Sequence, residues 1–220
     1  MIRAFCFDLD ETLVDAEPQH ERATRAMLET LGHRPDTQGP SEDMTGARTS
    51  DIVEAYRAKL GAPQSTDEML ALRHTAFLAA LDADPPQPLP GARELVAACR
   101  ARGPCALVTS GYRDDAIETL RAVGFLGAFA TIVTGDDVLE PKPSPEPYKL
   151  AAARLGFPPD DILVFEDSPR GVAAAKAAGC RVVAVPNARS TSPAAVADAD
   201  VVLESLEQAL PLDALLGRLL

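Results

Sequence analysis

The sequence predicts an α/β fold, a parallel sheet with helices on both faces and an inserted all-helical segment. Three observations carry that prediction. From residue 91 onward extended and helical patterns alternate, the order that strand-helix-strand units produce. Apolar runs repeatedly end in polar clusters, as strands do where a sheet meets a ligand site. Residues 15 to about 86 break the alternation and read as helices only.

In chain order, Ile2 to Asp8 is the first predicted strand. The helical segment follows, with Pro18 to Leu31 stopped by Gly32, Ser50 to Leu60 stopped by Gly61, and Asp67 to about Leu81. Pro85-Pro86-Gln87-Pro88-Leu89-Pro90 is a stiff connection back to the sheet. Further strands are expected at Cys105 to Thr109, Thr131 to Thr134, Ile162 to Phe165, Arg181 to Val185 and Asp200 to Leu203. Between them, a helix runs from the Thr109-Ser110-Gly111 turn to about Val123. Ser144-Pro145 and Ser168-Pro169 each set an N-cap before a proline at the first helical position, and Gly156 and Gly179 supply the stops. Ser190 to Pro193 reads as a loop, and Leu203 to Leu220 as a terminal helix. The expected division is a Rossmann-like body of residues 1–14 and 87–220 and a helical unit of residues 15–86, with hinges near Asp15 and Pro85.

The polar clusters carry the chemistry. Asp8-Leu9-Asp10 puts two carboxylates on one side of an extended chain, where one can attack or hold a cation while the other moves a proton. Acids at a strand end are also ordinary turn chemistry, so the pair gains weight from its companions. Leu107 and Val108 lead into Thr109, Ser110 and Gly111, where hydroxyls and backbone N–H groups at a helix start suit an anion; plain capping is the competing role. Lys142 stands between Pro141 and Pro143, and a lone lysine in a polar loop is more often solvated. Ile162 to Phe165 lead into Glu166, Asp167 and Ser168, a sequence that a helix start also favours without any metal.

Composition bounds the partners. At 220 residues the chain can bury a sizeable core, and its net charge of −12 argues against nucleic acid and anionic membrane, which need clustered Lys and Arg. No apolar run approaches a membrane span, and Met1-Ile2-Arg3 leads directly into a strand, so a cytoplasmic monomer is expected. Cys6, Cys99, Cys105 and Cys180 form no C-x-x-C pair and are expected as buried thiols.

The stretches FDLDETLVDAEPQH, ALVTSG, VTGDDVLEPKPSPEPY and VFEDSPRGVAAAKAAG, in this order and spacing, resemble the haloacid dehalogenase superfamily, in the branch of beta-phosphoglucomutase-like and phosphoglycolate-phosphatase-like enzymes with a helical cap. The resemblance implies Mg2+-dependent hydrolysis of a small phosphate ester through an aspartyl-phosphate. Asp8 would be the nucleophile and Asp10 the general acid and base. Asp8, Asp167 and the backbone carbonyl of Asp10 would hold Mg2+, with Glu166 behind them or reaching a metal-bound water. Thr109, with Ser110 and Gly111 nearby, would hold the transferring phosphate, and Lys142 would counter the charge on Asp8.

Within residues 15–86, the resemblance puts His20 of DAEPQH near the mouth of the site. Its spacing to Ala23, Met27 and Leu31 fits core packing equally well. Gly46 and Arg48 match a cap loop that faces the site in relatives, and Arg48 would contact the distal part of the substrate or lie on the surface. Glu11 stands where the family usually has Gly, and Glu140-Pro141 replaces a commoner Gly before Lys142; both put loop geometry in question.

Four functions compete: phosphatase, sugar phosphomutase, metal-free dehalogenase and binding module. Asp10 counts against the dehalogenase, and the full set of catalytic residues counts against binding alone. The mutase-like loop commonly carries a lysine where this chain has Thr45, which favours hydrolysis.

Overall fold

The structure is a computed structural model that describes residues 1–34, 47–187 and 191–219. The expected cap loop around Thr45 and Gly46, and Ser190, lie outside them. The strands are β1 (Ala4–Phe7), β2 (Val14–Asp15), β3 (Gln87–Pro88), β4 (Cys105–Val108), β5 (Thr131–Val133), β6 (Ile162–Glu166), β7 (Arg181–Ala184) and β8 (Val201–Val202). The α-helices are α1 (Glu17–Thr30), α2 (Thr49–Leu60), α3 (Thr66–Ala83), α4 (Ala92–Arg100), α5 (Arg113–Ala122), α6 (Glu146–Leu155), α7 (Pro169–Ala178) and α8 (Leu212–Arg218).

Six strands form one parallel sheet in the order β5-β4-β1-β6-β7-β8. Alternation along each strand sorts the core into two layers. Phe5, Phe7, Leu107, Leu163 and Phe165 pack with α4, α5 and α8 on one face. Ala4, Cys6, Ala106, Val108 and Val164 pack with α6 and α7 on the other. Both faces are covered, so β1, β4 and β6 are buried throughout. The α/β architecture follows the sequence prediction, with strand ends moved by one or two residues.

The helical segment packs mostly on itself. Met27 and Leu28 of α1, Val53 and Tyr56 of α2, and Met69 and Leu70 of α3 form one apolar cluster; Ala23, Phe77 and Leu81 form another. It leaves and rejoins the sheet body side by side, because β2 and β3 pair antiparallel through Val14 with Pro88 and Asp15 with Gln87. The proline-rich connection therefore contains a strand that its composition conceals.

Other expectations need correction. The terminal helix is broken into a 3-10 turn at Leu206–Ala209 and α8, because Pro211 has no N–H to donate and bars the helical conformation for the residue before it. Pro145, and not Ser144, is the N-cap of α6; Ser144 Oγ accepts the Glu146 N–H at 3.3 Å. Helix α5 starts at Arg113, after an extended Tyr112. Ser168 caps α7 as expected, accepting from Gly171, and Gly156 and Gly179 close α6 and α7 in the left-handed conformation. No helix among the described residues is long and apolar enough to cross a membrane.

Glu11 takes the conformation that its neighbours impose. Its φ is +62°, the one positive φ among the described non-glycine residues, and its N–H donates to Val14 O at 2.8 Å to close the turn behind Asp10. A side chain in the left-handed region costs roughly 1–2 kcal/mol. Glu11→Gly should therefore stabilise the protein by up to about 1 kcal/mol, a rise in Tm of roughly 2–4 °C for a chain of this size. Thermal melts of both proteins test this, and a fall in Tm would show that contacts of the Glu11 side chain outweigh its backbone strain.

Candidate active site

Strand β1 lies between β4 and β6, so successive crossovers depart from it in opposite directions and leave a crevice at its carboxyl end. Asp8 follows β1, Thr109 follows β4, and Asp167 follows β6. Four distant segments meet there.

Lys142 joins them. It is 3% exposed, and its Nζ donates to Asp8 Oδ1 at 2.7 Å, Glu166 Oε1 at 2.6 Å and Val108 O at 2.9 Å. Burial alone would depress its pKa, but the charges of Asp8 and Glu166 and their hydrogen bonds outweigh burial and hold it above the usual lysine range. The solvated-lysine alternative is excluded by this burial. Arg170 of α7 donates two hydrogen bonds to the Lys142 carbonyl, at 3.1 and 2.7 Å, and fixes the loop from behind.

Glu166 is fully buried and its oxygens are occupied. Oε1 accepts from Lys142 and from Tyr148 Oη at 2.9 Å; Oε2 accepts from the Asp167 N–H, the Ser168 N–H and Ser168 Oγ at 3.1, 3.1 and 3.0 Å. Its carboxylate lies where a Cβ on Gly171 would be, 1.7 Å from Oε1, so residue 171 has room only for glycine. This arrangement favours the place behind the ligands over direct contact with a metal-bound water.

The remaining acids are short of counter-charge. Burial pushes Asp8 up to about 8, against the pull of Lys142 and helped by the charges of Glu166 and Asp10. Burial, Glu166 and Asp8 likewise push Asp167 well above the carboxylate range, although Thr12 Oγ1 donates to its Oδ1 at 2.9 Å. One ammonium thus serves Asp8 and Glu166, and their charges act on Asp167. No three His, Cys, Asp or Glu side chains gather into a side-chain cage among the described residues. Two buried carboxylates with excess negative charge, supplemented by a backbone carbonyl, nevertheless suit Mg2+, which takes few carboxylates and keeps several waters.

Asp10 stands at the edge of this group. Its Oδ1 is 3.2 Å from Nε2 of His20, and the His20 ring stacks on Phe77 with centroids 4.5 Å apart. His20 therefore belongs both to the apolar packing of the helical segment and to the polar site. Thr109 is buried, and its Oγ1 accepts the Gly111 N–H at 2.9 Å, which leaves its own proton to donate. The Ser110 carbonyl accepts the Thr49 N–H at 3.3 Å and docks the start of α2 on the sheet body. Arg48 lies at that junction. Its guanidinium donates to Asp51 Oδ1 at 2.9 Å and reaches the Val138 carbonyl at 3.5 Å, while its stem lies against Gly135. It borders the phosphate-loop side of the crevice.

Sequence reading missed Thr12, Tyr148, Arg170 and Gly171. All four lie inside the quoted stretches, Thr12 in DLDETL, Tyr148 at the end of VTGDDVLEPKPSPEPY, and Arg170 and Gly171 in EDSPRG, but none was given a role there. A concavity of about 730 Å3 lined by Met1, Arg102, Lys176 and Arg181 lies at the opposite end of the strands. Its cations are already paired, Lys176 and Arg181 with Asp200 and Arg102 with Asp213.

Comparison with known proteins places this chain in a family. The haloacid dehalogenase-like hydrolase family matches residues 2–179. The validoxylamine A 7'-phosphate phosphatase of Streptomyces hygroscopicus subsp. limoneus is 33% identical over 94% of this chain and 96% of its own length. Hexitol phosphatase A of Escherichia coli K12 is 34% identical over 94% and 92%. The crystal structure of CbbY from Rhodobacter sphaeroides in complex with phosphate superposes with a TM-score of 0.85 at 29% identity, covering 96% of this chain and 97% of that one. The chain belongs to the haloacid dehalogenase-like hydrolases and is an enzyme of their phosphoric monoester hydrolase branch.

Proposed function

We propose that this enzyme is a Mg2+-dependent phosphatase that hydrolyses a small phosphomonoester, of the sugar phosphate or phosphoglycolate type, through a phosphorylated Asp8. The observation that carries this reading is the buried Lys142 ammonium bonded to both Asp8 and Glu166 at the β1–β6 crevice. A phosphate monoester spreads negative charge over the transferring group in its transition state, so fixed cations and positioning must do most of the catalysis. Lys142 lowers the repulsion between Asp8 and an incoming phosphate. Mg2+, held by Asp8, Asp167 and the Asp10 carbonyl, supplies further charge neutralisation and orientation when bound.

The protein's own groups divide the chemistry. A carboxylate oxygen of Asp8 bonds to phosphorus as the bond to the substrate's alcohol oxygen breaks, and Asp10 gives that oxygen its proton. Asp10 then takes a proton from the water that attacks the phosphorylated Asp8 and releases phosphate. Thr109 donates its free hydroxyl proton to a phosphate oxygen, and the Ser110–Gly111 turn flanks it. Residues 15–86 act as a cap on a body of residues 1–14 and 87–220, hinged at the β2–β3 pair. His20 and Arg48 are groups of this segment that border the crevice, and closure would exclude water. We place this cycle in the cytoplasm, on a small-molecule substrate and in a monomer, a setting that four free, buried cysteines fit.

Two variants test the assignment. Asp8→Asn should abolish turnover and covalent capture of phosphate from substrate, and a chelator should silence the wild type. Free phosphate and isomerised product are measured together on sugar phosphates and phosphoglycolate. Isomer in place of phosphate would mark a mutase, and full activity of the variant would remove the covalent route.

Asp10→Asn keeps its backbone carbonyl and should leave metal affinity largely intact while slowing turnover by roughly 10²-fold or more, the scale of general acid–base catalysis. Aryl phosphates, whose leaving groups need little protonation, should lose less than alkyl phosphates. Equal losses on the two would sink the acid role.

A further inference from the structure

The alcohol half of the substrate meets a different set of charges from the phosphate half. Lys142, and Mg2+ when bound, answer the transferring phosphate, so a second anionic group would need its own cation where the helical segment meets the sheet body. Arg48 is the arginine in place there. Its Nη2 and Nε both donate to Oδ1 of Asp51, in the first turn of α2, at 2.9 and 3.3 Å, and its Nη1 reaches the Val138 carbonyl at 3.5 Å. The stem is fixed as well, since a Cβ on Gly135 would lie 2.8 Å from both Arg48 Cγ and Ser110 O. The guanidinium is held beside the phosphate loop with its charge already answered.

The neighbouring cations are committed in the same way. Arg113, at the start of α5, pairs with Asp137, and its backbone N–H donates to Asp136 Oδ2 at 2.8 Å. Arg73 of α3 donates to Asp115 Oδ2 at 2.6 Å, and His74 Nδ1 lies 2.6 Å from the other oxygen of Asp115. Tyr112 stands edge-on to His74. Burial and the charges of Asp114, Asp136, Asp115 and Asp67 hold its phenol above the usual tyrosine range. In the sequence, residues 35–46 bring Asp36, Glu42 and Asp43 and no Lys, Arg or His. A carboxylate or carbonyl oxygen takes a hydrogen bond from a hydroxyl, whereas an anion has no proton to give it. A neutral polyol gains from such surroundings, and a second carboxylate or phosphate is repelled by them.

We propose that Asp51 is a positioning residue that decides specificity: by holding the Arg48 guanidinium it reserves the crevice for monoesters of an uncharged, hydroxyl-rich alcohol and turns away esters whose alcohol carries a second anion. Sugar and polyol phosphates are then the substrates, and phosphoglycolate is a poor one. The inference rests on the phosphatase reading, and the experiment separates the two.

Phosphate release with Mg2+ is measured on pairs of esters that differ only in a terminal hydroxymethyl group against a carboxylate: 2-hydroxyethyl phosphate and phosphoglycolate, glycerol 3-phosphate and 3-phosphoglycerate, glucitol 6-phosphate and 6-phosphogluconate. The wild type should show a kcat/KM at least about 5-fold higher on the hydroxyl member, the effect of one unit charge about 4 Å away even in water. Asp51→Asn keeps the size of the side chain and should shift that ratio by about 10-fold toward the carboxylate member, mostly through KM, because Arg48 is released to meet the anion. Arg48→Ala in the Asp51→Asn background should take the gain back, and Asp51→Glu should keep the wild-type preference. The Asp51 side chain is 40% exposed, and thermal melts verify that each variant folds. A wild-type preference for the carboxylate members, or an unchanged ratio in folded Asp51→Asn, would overturn the inference and leave the phosphatase reading standing. Phosphate released neither from any of these esters nor from an aryl phosphate would remove that reading, and the inference with it.

Discussion

The structure depends on burying several carboxylates at one point around a single ammonium. Lys142 donates to the last carbonyl of β4, to the acid that follows β1 and to the last residue of β6, so one side chain ties three neighbouring strand ends together. At an effective dielectric near 20, charges about 4 Å apart interact with roughly 4 kcal/mol, comparable to a large part of a domain's net stability. Removing one member of such a buried group leaves an uncompensated charge, at a cost of about 3–5 kcal/mol. Fold and site therefore share the same contacts.

Glu166 shows how the rest of the crevice is arranged around that constraint. Two backbone N–H groups, two hydroxyls and the ammonium all donate to it, so it is spent as an anchor and its neighbour Asp167 is left to face the crevice. The cluster stays short of positive charge on the Asp8 and Asp167 side, which is where an incoming cation gains most. The opposite flank is built differently. There the helical segment meets the body through the Thr49–Ser110 backbone bond, the Arg48 stem on Gly135 and the Arg73–Asp115 pair, contacts that can be made and broken as units.

Much of the sheet was legible because parallel strands buried on both faces must be apolar along their whole length, as AFCF, CALV and ILVFE are. The acids at their ends were legible because charge directly after such a run has few structural uses. Strands β2 and β3 were not, since two residues carry no period and the prolines in and around β3 signal a linker. The terminal helix was overdrawn because leucines keep helical spacing on both sides of Pro211. Within the site, Thr12 meets Asp167 across 155 positions and Arg73 meets Asp115 across 42, partnerships that local pattern does not encode. Arg73 and His74 read as one more polar turn of a helix until α5 is laid against them. At Glu11 the departure from glycine was visible, but only the structure shows that the left-handed turn survives it.

The pairing of β2 with β3 has a consequence for how such a protein can change over time. Val14 and Gln87–Pro88 are adjacent in space although about seventy residues of chain separate them, so the chain leaves the sheet body for the intervening segment and returns from it at two neighbouring points. Closing a loop costs little more as it lengthens, because the entropy grows with the logarithm of its length. A segment of another size or topology, grafted between those two points, would leave the register of every strand as it is. On the proposed division into cap and body, substrate preference would diverge by exchange of a module while the residues at the strand ends are inherited whole.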